Sequence, residues 1–159
     1  MVEIERSGGA ADLRGGGSQS ARLTLGLVAA ASQTRQLLSE RGIQVRAHLY
    51  SVGDSKSRSL LDLNQAYETE KESMQRLNCL DPEASEIFSS LIEGSRRELD
   101  PLGSSVECIV SGLPIGIGEP WFDGIEPALA RAMMAIPGAR AVEFGRGMHA
   151  SRTVSYTHL

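Results

Sequence analysis

The stretch DPEASEIFSSLIEGSRRELDPLGSSVECIVSG, residues 81–112, contains the signals of a helix, a turn and a strand in succession. Asp81 is a residue type that caps helices, and Pro82 suits the first helical position, where no N–H is needed. Apolar residues then recur at the spacing of one helix face, i, i+3, i+4, i+7 and i+8; they are Ala84, Ile87, Phe88, Leu91 and Ile92. The pattern predicts a helix over 82–98, ending near Leu99. The segment VECIVSG, which follows the turn, predicts a strand near 105–112.

A second strand is predicted upstream, where IQVRAHLYSVG, residues 43–53, alternates apolar and polar side chains. Alternation with a period of two is typical of a half-buried strand. The apolar side comprises Ile43, Val45, Ala47 and Leu49, and the polar side comprises Gln44, Arg46, His48 and Tyr50. We therefore expect a strand near 43–51, with His48 on the protein surface and any ligand on the polar side.

The remaining segments complete a mixed pattern of helices and strands. We expect loops at 1–17 and 53–80 (the latter with a short helix), helices at 20–40 and 124–136, and a third strand at 140–145. Gly42 is suited to end the first helix, because glycine adopts the left-handed conformation that follows many helix ends. The small side chains of Ala29 to Ala31 predict a buried face on that helix. The fold class is α+β, with helices lying against a sheet.

Length and composition are typical of one ordinary globular domain. The chain has 159 residues, of which 41% are hydrophobic and 23% charged. A net charge of −4 and an aromatic content of 4% argue against a general nucleic-acid surface. The cysteines, Cys79 and Cys108, match no metal-binding spacing, and we expect no metal. With no signal peptide and no apolar run near the ~18 residues of a membrane span, we expect a cytoplasmic protein with reduced cysteines.

The segment DLRGGGSQSARLT, residues 12–24, places three glycines immediately before the first predicted helix. Ser18 or Ser20 is a suitable N-cap. A helix start presents unpaired N–H groups and a partial positive charge, which favour phosphate, and Arg14 and Arg22 flank the turn. Two interpretations stay open: a cradle for an anion, or a flexible turn with an ordinary cap.

Four segments together resemble the chorismate synthase family. DLRGGGSQSARLT is similar to the family's D-x-R-G-G-G-R-S-S-A-R-E-T segment, and LPIGIGEPWFD, residues 113–123, is similar to its G-P-x-G-x-G-x-P-x-F-D segment. Ile136-Pro137 and VEFG, residues 142–145, resemble its S-I-x-A-V-K-G-V-E-x-G segment. DPEASEIFSSLIEGSRRELDPLGSSVE resembles the helix and turn between them. The resemblance runs from about Gly8 to Gly147, in the family's order.

The resemblance implies a βαβ-sandwich fold and a function in the shikimate pathway of aromatic amino acid biosynthesis. Chorismate synthases are lyases that convert 5-enolpyruvylshikimate 3-phosphate to chorismate and phosphate by an anti-1,4-elimination. They require reduced FMN, although the reaction has no net redox change. The resemblance also implies a homotetramer as the partner state, and neither nucleic acid nor membrane as a partner.

The resemblance further implies five flavin-binding positions: Ser18, Gln19, Ser20, Pro137 and Gly138. Only Ser20 keeps the residue of the family's R-S-S triplet, and the loss of its arginine removes a charge suited to the FMN phosphate. Pro137 has no N–H to donate, so Gly138 is the better donor of that pair. The alternative for Pro137 and Gly138 is a helix terminator.

No catalytic residue is expected in this chain. The family's two catalytic histidines lie upstream of its glycine turn, and His48, His149 and His158 match neither place. We therefore expect a partial chorismate synthase domain at 1–147, an unmatched tail at 148–159, and a fragment that is inactive alone. The alternative is a non-catalytic oligomerising or anion-binding domain that keeps the scaffold, with the glycines and prolines of 114–120 forming a rigid turn.

Overall fold

The computed structural model describes residues 2–12, 14, 17, 20–62 and 77–152. The chain divides into two compact units, one of residues 1–36 and 114–159 and the other of residues 37–113. Helices and strands are both present, and the α+β class predicted from the sequence is confirmed.

The unit of residues 37–113 contains a three-stranded antiparallel sheet. Its strands are β1 (Gln44–Val52), β2 (Ser55–Lys56) and β3 (Ser104–Ser111), in the order β2-β1-β3. Both long strands lie within one residue of the predicted bounds, because each was marked by its own pattern of apolar residues. The short strand β2 was not predicted, and residues 63–76, where a short helix was expected, lie outside the described part of the chain.

A long helix of the same unit follows the predicted bounds closely. Of the four described α-helices it is the third, α3 (Pro82–Glu98), with Asp81 as N-cap and Leu99 as left-handed C-cap at φ 59°. The Asp81 carboxylate accepts hydrogen bonds from the Ala84 N–H at 3.5 Å and from the Arg58 N–H and Nε at 3.1 Å. The cap therefore also attaches the start of α3 to the segment after β2.

Each face of the sheet packs against a different part of the chain. Tyr50 is the extra residue of a β-bulge, since Leu49 pairs with Val106 and Ser51 with Ser105. One face carries Leu49 and Val52, and α3 packs on it in a cluster with Cys79, Ala84 and Phe88. The opposite face carries Ile109, which packs with the buried Leu60 and Leu80.

The other unit is helical. Its elements are α1 (Val2–Arg6), a 3-10 turn (Ala21–Leu23) that leads into α2 (Thr24–Glu40), a 3-10 turn (Trp121–Asp123), α4 (Ile125–Met134) and a final 3-10 segment (Gly147–Arg152). The last four residues of α2 belong to the unit of residues 37–113. The bounds of α2 and α4 agree with the predicted helices to within a few residues, and α2 is followed by Gly42 at φ 76°, as expected. The prediction of a loop at 1–17 was wrong at α1, whose acidic first turn and Arg6 in the last turn suit the helix dipole.

Two further predictions were wrong. The alanine-rich face of α2 is exposed, as is every residue of the helix except Thr24 and Leu38, which are half-buried. Small side chains bury a face only where another element packs on it, and α2 has no extensive contact with another described helix or strand. Residues 140–145, all of them described, form no strand. This segment therefore has no strand partner in the described chain.

Candidate functional site

The glycine turn is described at Asp12, Arg14 and Gly17, while Ser18 and Gln19 lie outside the described residues. The Arg14 guanidinium donates to Asp12 at 2.9 and 2.8 Å, and the Arg14 N–H donates to the same carboxylate at 3.0 Å. These hydrogen bonds hold the pKa of the Asp12 carboxyl below its usual value. Arg14 is therefore paired with Asp12 at the surface of the turn, whereas Arg22 has no ion-pair partner among the described residues.

Ser20 caps the first turn of the helical segment that follows. Its Oγ accepts the Arg22 N–H at 3.3 Å, its N–H donates to the Gly17 carbonyl at 3.2 Å, and its carbonyl accepts the Leu23 N–H. The side chain of Arg22 is exposed and forms no ion pair with any described residue. With respect to the described residues, Ser20 thus keeps a hydroxyl proton, and Arg22 a full charge, available to an outside group.

Pro137 and Gly138 form an exposed turn after α4. The Ala139 N–H donates to the Ile136 carbonyl at 3.0 Å, and Gly138 has φ 91° with open space where a Cβ would lie. The Gly138 N–H has no hydrogen-bond partner among the described residues. The turn ends α4 and, within the part of the chain that the structure describes, leaves this N–H free to donate. No hydrogen bond joins Ser20 to Pro137 or Gly138 within the described chain.

The loop before α4 has the form expected of a rigid turn. Gly116 and Gly118 have φ values of 88° and 94°, which favour glycine, and the Glu119 N–H donates to the Asp123 carbonyl at 3.1 Å. A Cβ at Gly118 would lie 3.1 Å from the backbone nitrogen of Ile125. Gly118 therefore allows the close approach of the loop to the start of α4, whereas Gly116 has open space around it.

The prediction that His48 is a surface residue was wrong. The side chain is fully buried, with Nε2 3.3 Å from Oε2 of Glu107 and Nδ1 accepting the Leu80 N–H at 3.4 Å. Glu107 also accepts the Ser59 hydroxyl at 2.7 Å and the Leu60 N–H at 2.6 Å. The segments after β2 and before α3 therefore cover the polar side of β1 at His48, where a ligand had been expected.

The hydrogen bonds of this buried network favour one tautomer of the imidazole. The Leu80 N–H points at Nδ1, which is therefore assigned as the acceptor, and the matching tautomer places a proton on Nε2, facing the Glu107 carboxylate. Glu107 is only 26% exposed in its side chain and receives three donors. Alternation within β1 gave no sign of this, since the residues that cover His48 are 11 or more positions away along the chain.

Membership of a family follows from the fold and from comparison with known proteins. The family model described as chorismate synthase matches residues 2–158. The chain also resembles a solved crystal structure of chorismate synthase with a TM-score of 0.72 and 29% sequence identity, over 84% of this chain and 43% of that one. The chain belongs to the chorismate synthase family. The predicted boundary at residue 147 stays a prediction, and the family match runs to residue 158.

Two individual relatives support the family membership. The chorismate synthase of Aeropyrum pernix is 43% identical over 148 residues, covering 92% of this chain and 38% of the relative. That of Methanosarcina mazei is 38% identical over 146 residues, covering 91% of this chain and 39% of the relative. The chain thus spans about two fifths of the length of these relatives. None of the described helices is long and apolar enough to cross a membrane.

Proposed function

We propose that this chain supplies part of a chorismate synthase, the lyase that converts 5-enolpyruvylshikimate 3-phosphate to chorismate and phosphate with reduced FMN. Family membership supports the reaction. The observation that supports the chain's own role is a set of donors that no described residue uses, near the glycine turn and after α4: the Ser20 hydroxyl, the Arg22 guanidinium and the Gly138 N–H. We further propose a cytoplasmic homotetramer, as in the family.

The described residues fit the anionic part of a flavin nucleotide. Arg22 carries a charge with no partner in the described chain, and the capped turn at Ser20 begins a helical segment whose dipole favours a negative charge near its start. Gly138 leaves open space for a close approach, and its N–H is a donor that Pro137 lacks. Ser18 and Gln19 are proposed as further neutral donors, weaker than the arginine that the family places at position 18.

The residues named would bind and orient the cofactor rather than move protons. When bound, reduced FMN would supply an electron-rich ring to an elimination without net redox change. Ser20 and Arg22 would hold its phosphate by a hydrogen bond and a charge-assisted hydrogen bond. Gly138 would add a backbone donor, because its N–H is unpaired in the described chain.

We propose that the 159-residue chain alone does not make chorismate. The elimination removes a C6 proton and releases phosphate, and each proton transfer needs a group within hydrogen-bond reach. His48 is fully buried and bonded on both ring nitrogens, so it cannot reach a substrate. Loss of one positioned acid or base costs on the order of a hundred- to ten-thousand-fold in rate.

The test is an anaerobic assay of the purified chain with reduced FMN and 5-enolpyruvylshikimate 3-phosphate, following chorismate. The full-length enzyme of Aeropyrum pernix serves as the positive control. We expect chorismate from the control and none from the chain. Turnover by the chain would contradict the proposal and direct attention to exposed groups such as His149, Asp12 and Asp123.

A further inference from the structure

Two segments of the chain cover the buried imidazole of His48 on β1. The first covering segment, residues 57–60, comes directly after β2, and the second covering segment, residues 78–81, comes directly before α3. The His48 side chain has no exposed surface, so a solute reaches the imidazole only after a covering group has moved. The attachment of the two segments therefore controls access to the polar side of β1 at this point.

The covering segments are attached to the two members of one hydrogen-bonded pair. In the first segment, the Ser59 hydroxyl and the Leu60 N–H donate to Glu107 of β3 at 2.7 and 2.6 Å. In the second, the Leu80 N–H donates to Nδ1 of His48 at 3.4 Å. Because Nε2 of His48 lies 3.3 Å from Oε2 of Glu107, a continuous series of hydrogen bonds connects one segment to the other.

Direct contacts also join the two segments to each other. The Arg58 N–H and Nε donate to the Asp81 carboxylate at 3.1 Å. Leu60 and Leu80, which are 1% and 0% exposed, pack in one cluster. Movement of one segment alone would break the Arg58–Asp81 ion pair and expose both leucines to water.

We propose that residues 57–60 and 78–81 open from the sheet together, as one cooperative unit, and that the His48–Glu107 pair is the latch that holds this unit closed. Proteins open locally in contiguous cooperative units, at free energies below that of global unfolding. Loss of Glu107 as an acceptor removes two bonds from the first segment and removes the partner that orients the imidazole. The bond to Leu80 in the second segment then weakens as well, because bonds in such a network support one another.

Amide hydrogen exchange of the 159-residue chain at several urea concentrations tests the joint opening without any variant. We expect the Leu60 and Leu80 amides to have opening constants that agree within about twofold and depend equally on urea. The Phe88 amide, in the buried part of α3, reports wider unfolding of the same unit. We expect it to open about tenfold or more rarely than the other two amides.

Two substitutions test the latch by their effect on the amide that each does not contact. Glu107→Gln keeps the His48 acceptor of Leu80, and His48→Phe keeps the Glu107 acceptor of Leu60. We expect each to speed exchange at both amides by about tenfold or more. Glu86→Gln, on the exposed side of α3, is the matched control and should change neither.

Three results would overturn the proposal. The first is a clear difference between the opening constants of Leu60 and Leu80 in the unsubstituted chain. The second is exchange at both amides as slow as at Phe88, since the two segments would then open only with the rest of the unit. The third is an effect of each substitution that is confined to the amide whose acceptor it alters.

Discussion

The Nε2 atom of His48 lies 3.3 Å from the Oε2 atom of Glu107, and this contact joins β1 to β3 on the buried polar side of the sheet. The two residues are directly paired across the strands. Because Glu107 also accepts the Ser59 hydroxyl and the Leu60 N–H, one carboxylate connects the sheet to the segment after β2. The network is thus a structural centre of this unit.

Replacing Glu107 by Gln should destabilise the chain. The amide keeps one acceptor oxygen, but its NH2 group faces donors that the carboxylate now satisfies. We expect a loss of about 1–3 kcal/mol in the free energy of unfolding, typical of an unsatisfied buried polar group. Urea unfolding measures it, with Glu86→Gln on the exposed side of α3 as the matched control. Equal stability of the two variants would show that the network contributes nothing.

Replacing His48 by Phe should leave the Leu80 N–H without its acceptor. The ring keeps its apolar contacts, so the expected cost of about 1–3 kcal/mol comes from the unpaired amide. Tyr50→Phe, at the bulge, is the control and should stay within about 0.5 kcal/mol. We expect faster hydrogen exchange at the Leu80 amide in His48→Phe, which would assign the loss of stability to that N–H. Unchanged exchange at Leu80 would contradict this assignment.

The Asp81 carboxylate should make stability depend on pH in the acid range. Burial opposes its ionisation, but hydrogen bonds from Arg58 and Ala84 outweigh burial and lower the pKa of Asp81. Its pKa in the folded chain is therefore below the unfolded value of about 3.9. The stabilisation is complete above that value and is lost as pH falls through the folded pKa.

The matching experiment compares Asp81→Asn with the parent chain by thermal unfolding at several pH values. Asparagine still caps a helix, so the difference reports the charge and its bonds to Arg58. We expect Asp81→Asn to be less stable at pH 7, with a difference that shrinks as pH falls below about 4. Asp62→Asn is the exposed control. A stability difference between Asp81→Asn and the parent chain that stays constant or grows in acid would contradict the predicted direction of the pH dependence.

Truncation of Phe88 to alanine should reduce the stability of the chain strongly, and truncation of Leu27 should leave it nearly unchanged. Phe88 is fully buried between β1 and α3, and Phe88→Ala should cost about 3–5 kcal/mol through lost burial and a cavity. Leu27 on α2 is 71% exposed, and Leu27→Ala should stay within about 0.5 kcal/mol in the isolated chain. Chemical denaturation measures both changes. A large effect at Leu27 would show that α2 is packed in solution.

The sequence predicted those elements whose signals are local. Asp81, Pro82 and the apolar stripe around Phe88 marked α3, and alternation marked β1. The segment VECIVSG marked β3, and both strands were predicted to within a residue. Burial was predicted less well because it depends on distant segments. His48 is covered by residues that follow β2 and precede α3, and the alanines of α2 have no partner in the described chain.

In the candidate site, too, features with local sequence signals were predicted and features that depend on distant segments were not. Ser20 as a cap and Gly138 as a turn residue follow from local rules of backbone geometry, and the structure has both. Their contact with flavin came from the family resemblance alone and stays a proposal. No local pattern states which donors a ligand uses, because that depends on groups brought together from separate parts of the fold.

Anaerobic titration of the chain with reduced FMN, followed by the change in flavin absorbance, tests the proposed flavin site most directly. Three proteins are compared: the parent chain, the Ser20→Ala/Arg22→Ala variant, and Arg35→Ala, which removes an exposed arginine farther along α2. We expect the parent chain and Arg35→Ala to bind alike, and the double variant to bind about tenfold or more weakly because it loses a charge-assisted hydrogen bond. Absence of binding by the parent chain, or equal binding by all three proteins, would contradict the proposed flavin site.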